Sequence, residues 1–266
     1  MSILEKLHAI NHLKGKADES VPRKDWDQAF LEKVKIEFTY NSNKIEGNTI
    51  SYGQTVKLLR DLVTPKNTTA GEVLDVVNHH KILNIVFKNY HFENISEESI
   101  KDLHYALMKN IEQWGDDGLY SPGKYKNFEN VTVRSTGKVH KYMQPSDVPR
   151  AMAGLVETTN TLLKNSDINS SEKHPLSIAA LFHQRFLNEI HPFADGNGRI
   201  GRIFMNLILL KKGYPPIFIK DVNRDEYLKR FEIADQEPDA MLEFLADRLI
   251  ESLELKIDYG REGVGN

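Results

Sequence analysis

Apolar residues recur at helical spacing along nearly the whole chain, and this periodicity leaves room for one convincing pair of strands. The stretch AFLEKVKIEFTY places Phe30, Val34 and Phe38 at i, i+4 and i+8, one stripe of a helix. SYGQTVKLLRDL opens at Ser51 and ends before Pro65, because proline drives the residue before it out of helical geometry. AGEVLDVVNHHKILNIVFKNY carries Val73, Val77, Ile82 and Ile85 as an approximate apolar face. Ser96 reads as an N-cap, with Glu97 and Glu98 in the first turn, where carboxylates suit the helix dipole; that helix is expected to reach about Asn110. Further helices are expected from Val148 to about Leu163, from Pro175 through LSIAALFHQRFLNEI, from near Asn197 to a stop at Gly213, near Asp225 to Asp235, and from Pro238 to Lys256. Between Trp114 and Pro149 the residues Gly, Asp, Asn, Ser and Pro dominate. Within that stretch NVTVRSTGKVHKY sets β-branched residues on both sides of an STG turn, the signal of a β-hairpin. The expected fold class is therefore all-α, a helical bundle with one β-hairpin.

No repeat or low-complexity linker divides the chain. Residues 1–65 read as an N-terminal helical segment, 66–256 as the core, and 257–266, ending in GREGVGN, as a frayed tail. Composition narrows the function. The 266 residues are 40% hydrophobic and 27% charged, a globular balance. A formal net charge of −3 gives no basic excess aimed at nucleic acid. With no cysteine, thiolate zinc sites, disulfides and cysteine nucleophiles are excluded. The first twenty residues have no signal-peptide apolar core, and IFMNLILL is short and interrupted by Asn206. The expectation is a cytoplasmic protein that crosses no membrane.

Residues 191–202, HPFADGNGRIGR, concentrate polar chemistry beside an apolar helix. Pro192 ends the preceding helix at His191. Gly196, Gly198 and Gly201 permit tight turning and close backbone approach to a ligand. A helix starting near Asn197 offers its amides and positive dipole end to an anion. Arg199 and Arg202, at i and i+3, suit phosphate oxygens. Asp195 could hold Mg²⁺ beside phosphates or simply cap the helix. His191 can accept a proton near neutral pH. Together these parts describe phosphoryl or nucleotidyl transfer from a magnesium-bound nucleotide.

This stretch resembles, without a mismatch, the signature of the Fic family, H-P-F-x-D-G-N-G-R-x-x-R, and the likeness extends over roughly Tyr40 to Leu249. The resemblance implies a Fic-type helical bundle and, for most members, transfer of AMP from ATP to a protein hydroxyl. It implies His191 as general base and Asp195 as the ligand of Mg²⁺ or Mn²⁺. Gly196, Asn197 and Gly198 would cradle the α- and β-phosphates, with Arg199 near the β-phosphate and Arg202 on the γ-phosphate. GKYKNFENVTV and the hairpin resemble the family's flap, so the backbone of Val131, Thr132, Val133 and Arg134 would align an extended target segment by strand addition. Lys126 stands where many relatives carry arginine. RDEYLKRFEIAD resembles the segment in which Tyr227 would border the adenine pocket.

SNKIEGN fits the family's inhibitory pattern [S/T]-x-x-x-E-[G/N] through Ser42, Glu46 and Gly47. By resemblance Glu46 pairs with Arg202, a bidentate carboxylate competing with the productive pose of ATP, so weak basal activity is expected. Alternatives are transfer of another phosphate-containing group, removal of AMP, and a nucleotide-sensing regulator without catalysis. Partners implied are a target protein on the hairpin, the chain itself through self-modification, and a second copy in a homodimer. His79 and His80, adjacent in a helix, poorly suit a shared metal and read as structural or solvated. His104 and His183 lie in apolar helical patterns and read as core or boundary residues.

Overall fold

Reciprocal side-chain caps set three helix starts. Ser51 with Gln54, Thr69 with Glu72, and Ser96 with Ser99 each satisfy two amides that a helix N-terminus leaves without an acceptor. The computed structural model describes residues 2–20, 28–91, 95–109, 120–234 and 236–263. Among them are α1 (Ile3–Ser20), α2 (Gln28–Ile45), α3 (Tyr52–Asp61), α4 (Ala70–Asn89) and α5 (Glu97–Met108). Strands β1 (Val131–Val133) and β2 (Val139–Lys141) come next. Then follow α6 (Val148–Lys164), α7 (Pro175–Gln184), α8 (Asn197–Lys211), α9 (Arg224–Ile233) and α10 (Ala240–Gly263). The expected all-α bundle with a single hairpin is the observed architecture.

Helix α8 is the axis of the core. It packs against α7, α4, α2 and α5, and its side chains from Arg199 to Leu210 are all buried. A helix apolar all round has to be enclosed by others. Asn206, the polar residue inside that run, is satisfied: its amide donates to the Ile217 carbonyl and accepts from the Ile217 amide, both at 2.7 Å. These bonds fasten the extended segment after α8 to the helix itself. In the hairpin, Val131 faces Lys141 and Val133 faces Val139 in antiparallel register. Val131, Val133 and Val139 are exposed.

Several boundaries differ from expectation. The buried face of α4 runs through Val76, His79, Ile82, Leu83 and Val86, whereas Ile85 is exposed: tertiary contacts select a face slightly rotated from the sequence stripe. Val34 and Phe38 are buried on α2, and the Phe30 side chain lies outside the described residues. Helix α5 stops at Met108; Asn110 and Trp114 lie outside the described residues. The expected tail does not begin at residue 257. Helix α10 continues to Gly263 with Ile257 buried, because α1 packs along it and gives its last turns a partner. Leu7 and Ile10 of α1 also belong to the same apolar cluster as α8, so residues 1–65 share the core of the remainder. Among the described residues no helix is long and apolar enough to cross a membrane.

Among the described residues His79, His104, His174 and His183 are buried, and burial lowers the proton affinity of each. Burial pushes His104 and His174 down to about 4, and His183 down to about 3. Above pH 6.5 an imidazole is neutral in both folded and unfolded chains. Between pH 6.5 and about 4 only the unfolded chain takes up these protons, so stability falls as pH falls through that window. Each ring costs up to about 1.4 kcal/mol per pH unit there. Scanning fluorimetry is expected to give a Tm roughly 10 °C lower at pH 5.5 than at pH 7.5.

Candidate functional site

Helix α7 does not run unchanged into the signature. Residues Arg185–Ile190 form a π-helix, and the His191 amide donates to the Phe186 carbonyl at 2.9 Å, five residues back. Pro192 disfavours αR geometry at His191, which instead adopts φ 48°, ψ 65°. A non-glycine residue there is uncommon, and such strain clusters at functional sites, as single π turns do.

This backbone fixes the imidazole. His191 Nδ1 lies 2.9 Å from the Leu187 carbonyl, which can only accept, so Nδ1 carries the hydrogen and Nε2 keeps its lone pair. Tyr142 stacks on the ring at 3.9 Å between centroids. Burial, aided by the nearby Lys126 charge, pushes His191 down to about 4 despite the pull of the Leu187 carbonyl, Glu46 and Asp195. The ring is a neutral base at physiological pH.

A pocket opens over His191 between the hairpin, α9 and the N-terminus of α8. Its lining includes Glu46, Thr132, Val133, Arg134, Asn188, His191, Asp195, Asn197, Gly198, Arg202 and Tyr227. The Asn197 side chain bridges back to Phe193, accepting from its amide at 2.9 Å and donating to its carbonyl at 2.8 Å. The turn between them is thereby closed. Its backbone is held from below by His104, whose Nε2 donates to the Asp195 carbonyl at 3.0 Å while its ring stacks on Phe193.

The three glycines act differently. Gly196 has φ 75°, and a Cβ there would press on Met108; Gly201 lies against Leu187. Both make room for packing within the protein. Gly198 alone of the three lines the pocket, and a Cβ there would overlap Glu46 Oε1 and lie 3.0 Å from Arg202 Nη1.

The two signature arginines part company. Arg202, 2% exposed, donates Nε to Ser42 Oγ and Nη2 to the Ser42 carbonyl, both at 3.0 Å, and Nη2 to Glu46 Oε1 at 2.6 Å. The Glu46 contact uses one carboxylate oxygen; the anticipated bidentate pair is replaced by Ser42 supplying the other acceptors. Burial alone would raise the Glu46 carboxyl, yet Arg202 and Arg199 hold it below its usual value. Some 35% of its side-chain surface stays open to the pocket. Gly47, φ 93°, lets the chain turn as α2 ends. Arg199 instead forms an ion pair with Asp75 of α4 and touches Met108, away from the pocket lining.

Tyr227 is buried beneath the pocket; its hydroxyl is 2.7 Å from His183 Nε2. Of the hairpin residues, Thr132, Val133 and Arg134 line the pocket and Val131 is not part of the lining. Asp195 is half exposed; Oδ1 accepts from the Gly196 amide at 2.6 Å and Oδ2 lies 3.9 Å from Arg199. Among the described residues no cluster of three or more His, Asp or Glu converges. A lone hard oxygen donor fits Mg²⁺ or Mn²⁺, which keep waters and phosphate oxygens, better than zinc. Sequence reasoning missed Asp75, Tyr142 and the part His104 plays, because each reaches the site from a distant segment.

Comparisons with known proteins bear on the family and the fold. Residues 94–209 match the Fic/DOC family. The chain is 27% identical over 201 residues to protein adenylyltransferase fic-1 of Caenorhabditis briggsae, covering 74% of this chain and 36% of that protein. It is 28% identical over 222 residues to protein adenylyltransferase Fic of Drosophila grimshawi, covering 81% and 41%. It thus spans about two fifths of the length of these curated relatives. Fic-1 from C. elegans shares the fold, with a TM-score of 0.77 at 22% identity over 96% of this chain and 71% of that one. The crystal structure of a Fic domain containing signaling protein from Bacteroides thetaiotaomicron gives a TM-score of 0.83 at 30% identity, covering 95% of this chain and 97% of that one. Signature, fold and near full-length similarity coincide, and the chain belongs to the Fic/DOC family.

Proposed function

We propose that this chain transfers AMP from ATP to a hydroxyl side chain of a target protein, and that Glu46 restrains the transfer. One observation carries the reading. A neutral histidine, a helix N-terminus and an arginine line one pocket, and a glutamate from α2's end occupies that arginine. The names of the curated relatives support the same reading.

In the proposed reaction His191 Nε2 takes the proton of a Ser, Thr or Tyr hydroxyl. The hydroxyl oxygen bonds to the α-phosphorus, the bond from that phosphorus to the bridging oxygen breaks, and pyrophosphate leaves with the electron pair. Asn197, Gly198 and the first amides of α8 receive the phosphates; Gly196 shapes their turn. Arg202, once released by Glu46, meets the γ-phosphate. Arg199 reaches the β-phosphate only on leaving Asp75. Asp195 would hold Mg²⁺ or Mn²⁺, which supplies charge neutralisation at the phosphates. Tyr227 closes the floor of the pocket. The target adds as a strand along the backbone of Val131 to Arg134, on the edge of β1 that pairs with no strand among the described residues.

A second reading, removal of AMP, draws on one feature: the Glu46 carboxylate faces the same pocket as His191 and could position a water. Incubation with α-labelled ATP and cell lysate tests both. Label on protein carrying the mass of AMP, dependent on His191, supports transfer. Loss of label from pre-modified protein, dependent on Glu46, supports removal. A mass shift of UMP, phosphate or phosphocholine points to another donor. Nucleotide binding without turnover, even in Glu46→Gly, leaves a sensing regulator.

A further inference from the structure

The segment from Leu187 to Phe193 has left α-helical geometry, so its carbonyls need hydrogen-bond donors from elsewhere. The Leu187 carbonyl takes the His191 ring itself. The others named here are met by the hairpin and the residues flanking its strands, with Asn197 sharing the Phe193 carbonyl. His140 Nε2 donates to the Asn188 carbonyl at 2.7 Å, and the Met143 amide to Glu189 at 2.9 Å. Lys126 Nζ donates to Ile190 at 3.2 Å, and the Lys126 amide to Pro192 at 2.8 Å. Asn130 Nδ2 donates to Phe193 at 3.2 Å. Arg134 donates to His140 Nδ1 at 2.9 Å, which leaves the His140 hydrogen on Nε2, aimed at Asn188.

Lys126 therefore holds the carbonyls on both sides of His191, one through its ammonium and one through its backbone. The ammonium is only 4% exposed as part of its residue and is steered by Asn130 Oδ1 at 2.6 Å. A buried cation placed on a carbonyl costs solvation, which the two acceptors offset. Burial pushes Lys126 down to about 8.

We infer that Lys126 is a positioning residue for the catalytic base: by gripping the Ile190 and Pro192 carbonyls it splints the strained His191 backbone and ties it to the hairpin on which a target would dock. The inference rests on the proposed AMP transfer and deepens it. Hairpin and base then move as one body, so a target strand is presented to Nε2 at a fixed offset. An arginine at this position would keep both the charge and the reach; methionine keeps the volume and loses the bond.

The test uses the full chain carrying Glu46→Gly. Adding Lys126→Met is expected to lower kcat for AMP transfer by ~10–100-fold, the scale of a small misplacement of the base, with KM for ATP unchanged. Lys126→Arg is expected to restore kcat. Hydrogen exchange read by mass spectrometry is expected to quicken in peptides covering residues 188–193 in Lys126→Met and to stay native in Lys126→Arg. An unchanged kcat overturns the inference. If Glu46→Gly itself transfers no AMP, the functional reading has failed, and unchanged exchange at 188–193 then overturns the splint. Should Lys126→Met not fold, Asn130→Ala, which removes one of the two partners of Nζ and one of the two donors to Phe193, carries the same two measurements.

Discussion

His191→Ala, placed in a chain that also carries Glu46→Gly, is expected to lose AMP transfer by ~10²–10⁴-fold while ATP still binds. The magnitude follows from geometry. His191 has its hydrogen committed to the Leu187 carbonyl, so Nε2 is a base and not an acid, and its low affinity for protons keeps it so at every physiological pH. Alanine removes that acceptor and leaves Asn197, Gly198 and Arg202, which handle the phosphates, untouched. Calorimetric titration with ATP should therefore read near-native affinity in the same protein that transfers no label. Loss of affinity in parallel with activity would mean that His191 holds the turn and not the proton.

The second large effect has the opposite sign. Glu46→Gly alone is expected to raise AMP transfer and self-modification by ~100-fold over the unaltered chain, the scale at which a misaligned reacting group suppresses rate. Arg202 loses one acceptor and keeps Ser42 Oγ and the Ser42 carbonyl, so it remains placed at the pocket with charge to spare. The space beside Gly198, now filled by Glu46 Oε1, becomes available to a phosphate. Equal incorporation of labelled AMP by both proteins would defeat the inhibitory assignment.

What the sequence disclosed depends on how local each cause is. The signature was legible because its chemistry is compressed into twelve residues: a proline-ended helix, an αL glycine and a helix start follow one another with no tertiary help. Ser42 and Glu46 were legible as a pair for the same reason. Arg199 was not, since nothing near it in the chain announces Asp75, and a guanidinium follows whichever carboxylate is nearest in space. At Gly196 and Gly201 a missing Cβ says that something approaches, not what, and Met108 and Leu187 are neighbours that only the fold brings near. The last turns of α10 were misjudged because their stability comes from α1, at the other end of the sequence. The hairpin was visible from its turn residues, but its service to the carbonyls of 188–193 was not.

The π turn at Arg185–Ile190 has a further meaning when counted in residues. It accommodates one residue more than an α turn of the same rise. Rewinding the same residues as ordinary α-helix, with none removed, would rotate whatever follows by roughly 100° about the axis. Histidine, proline and turn would survive in composition yet face another direction. A single surplus residue, stored inside the helix, is thus what aims the base.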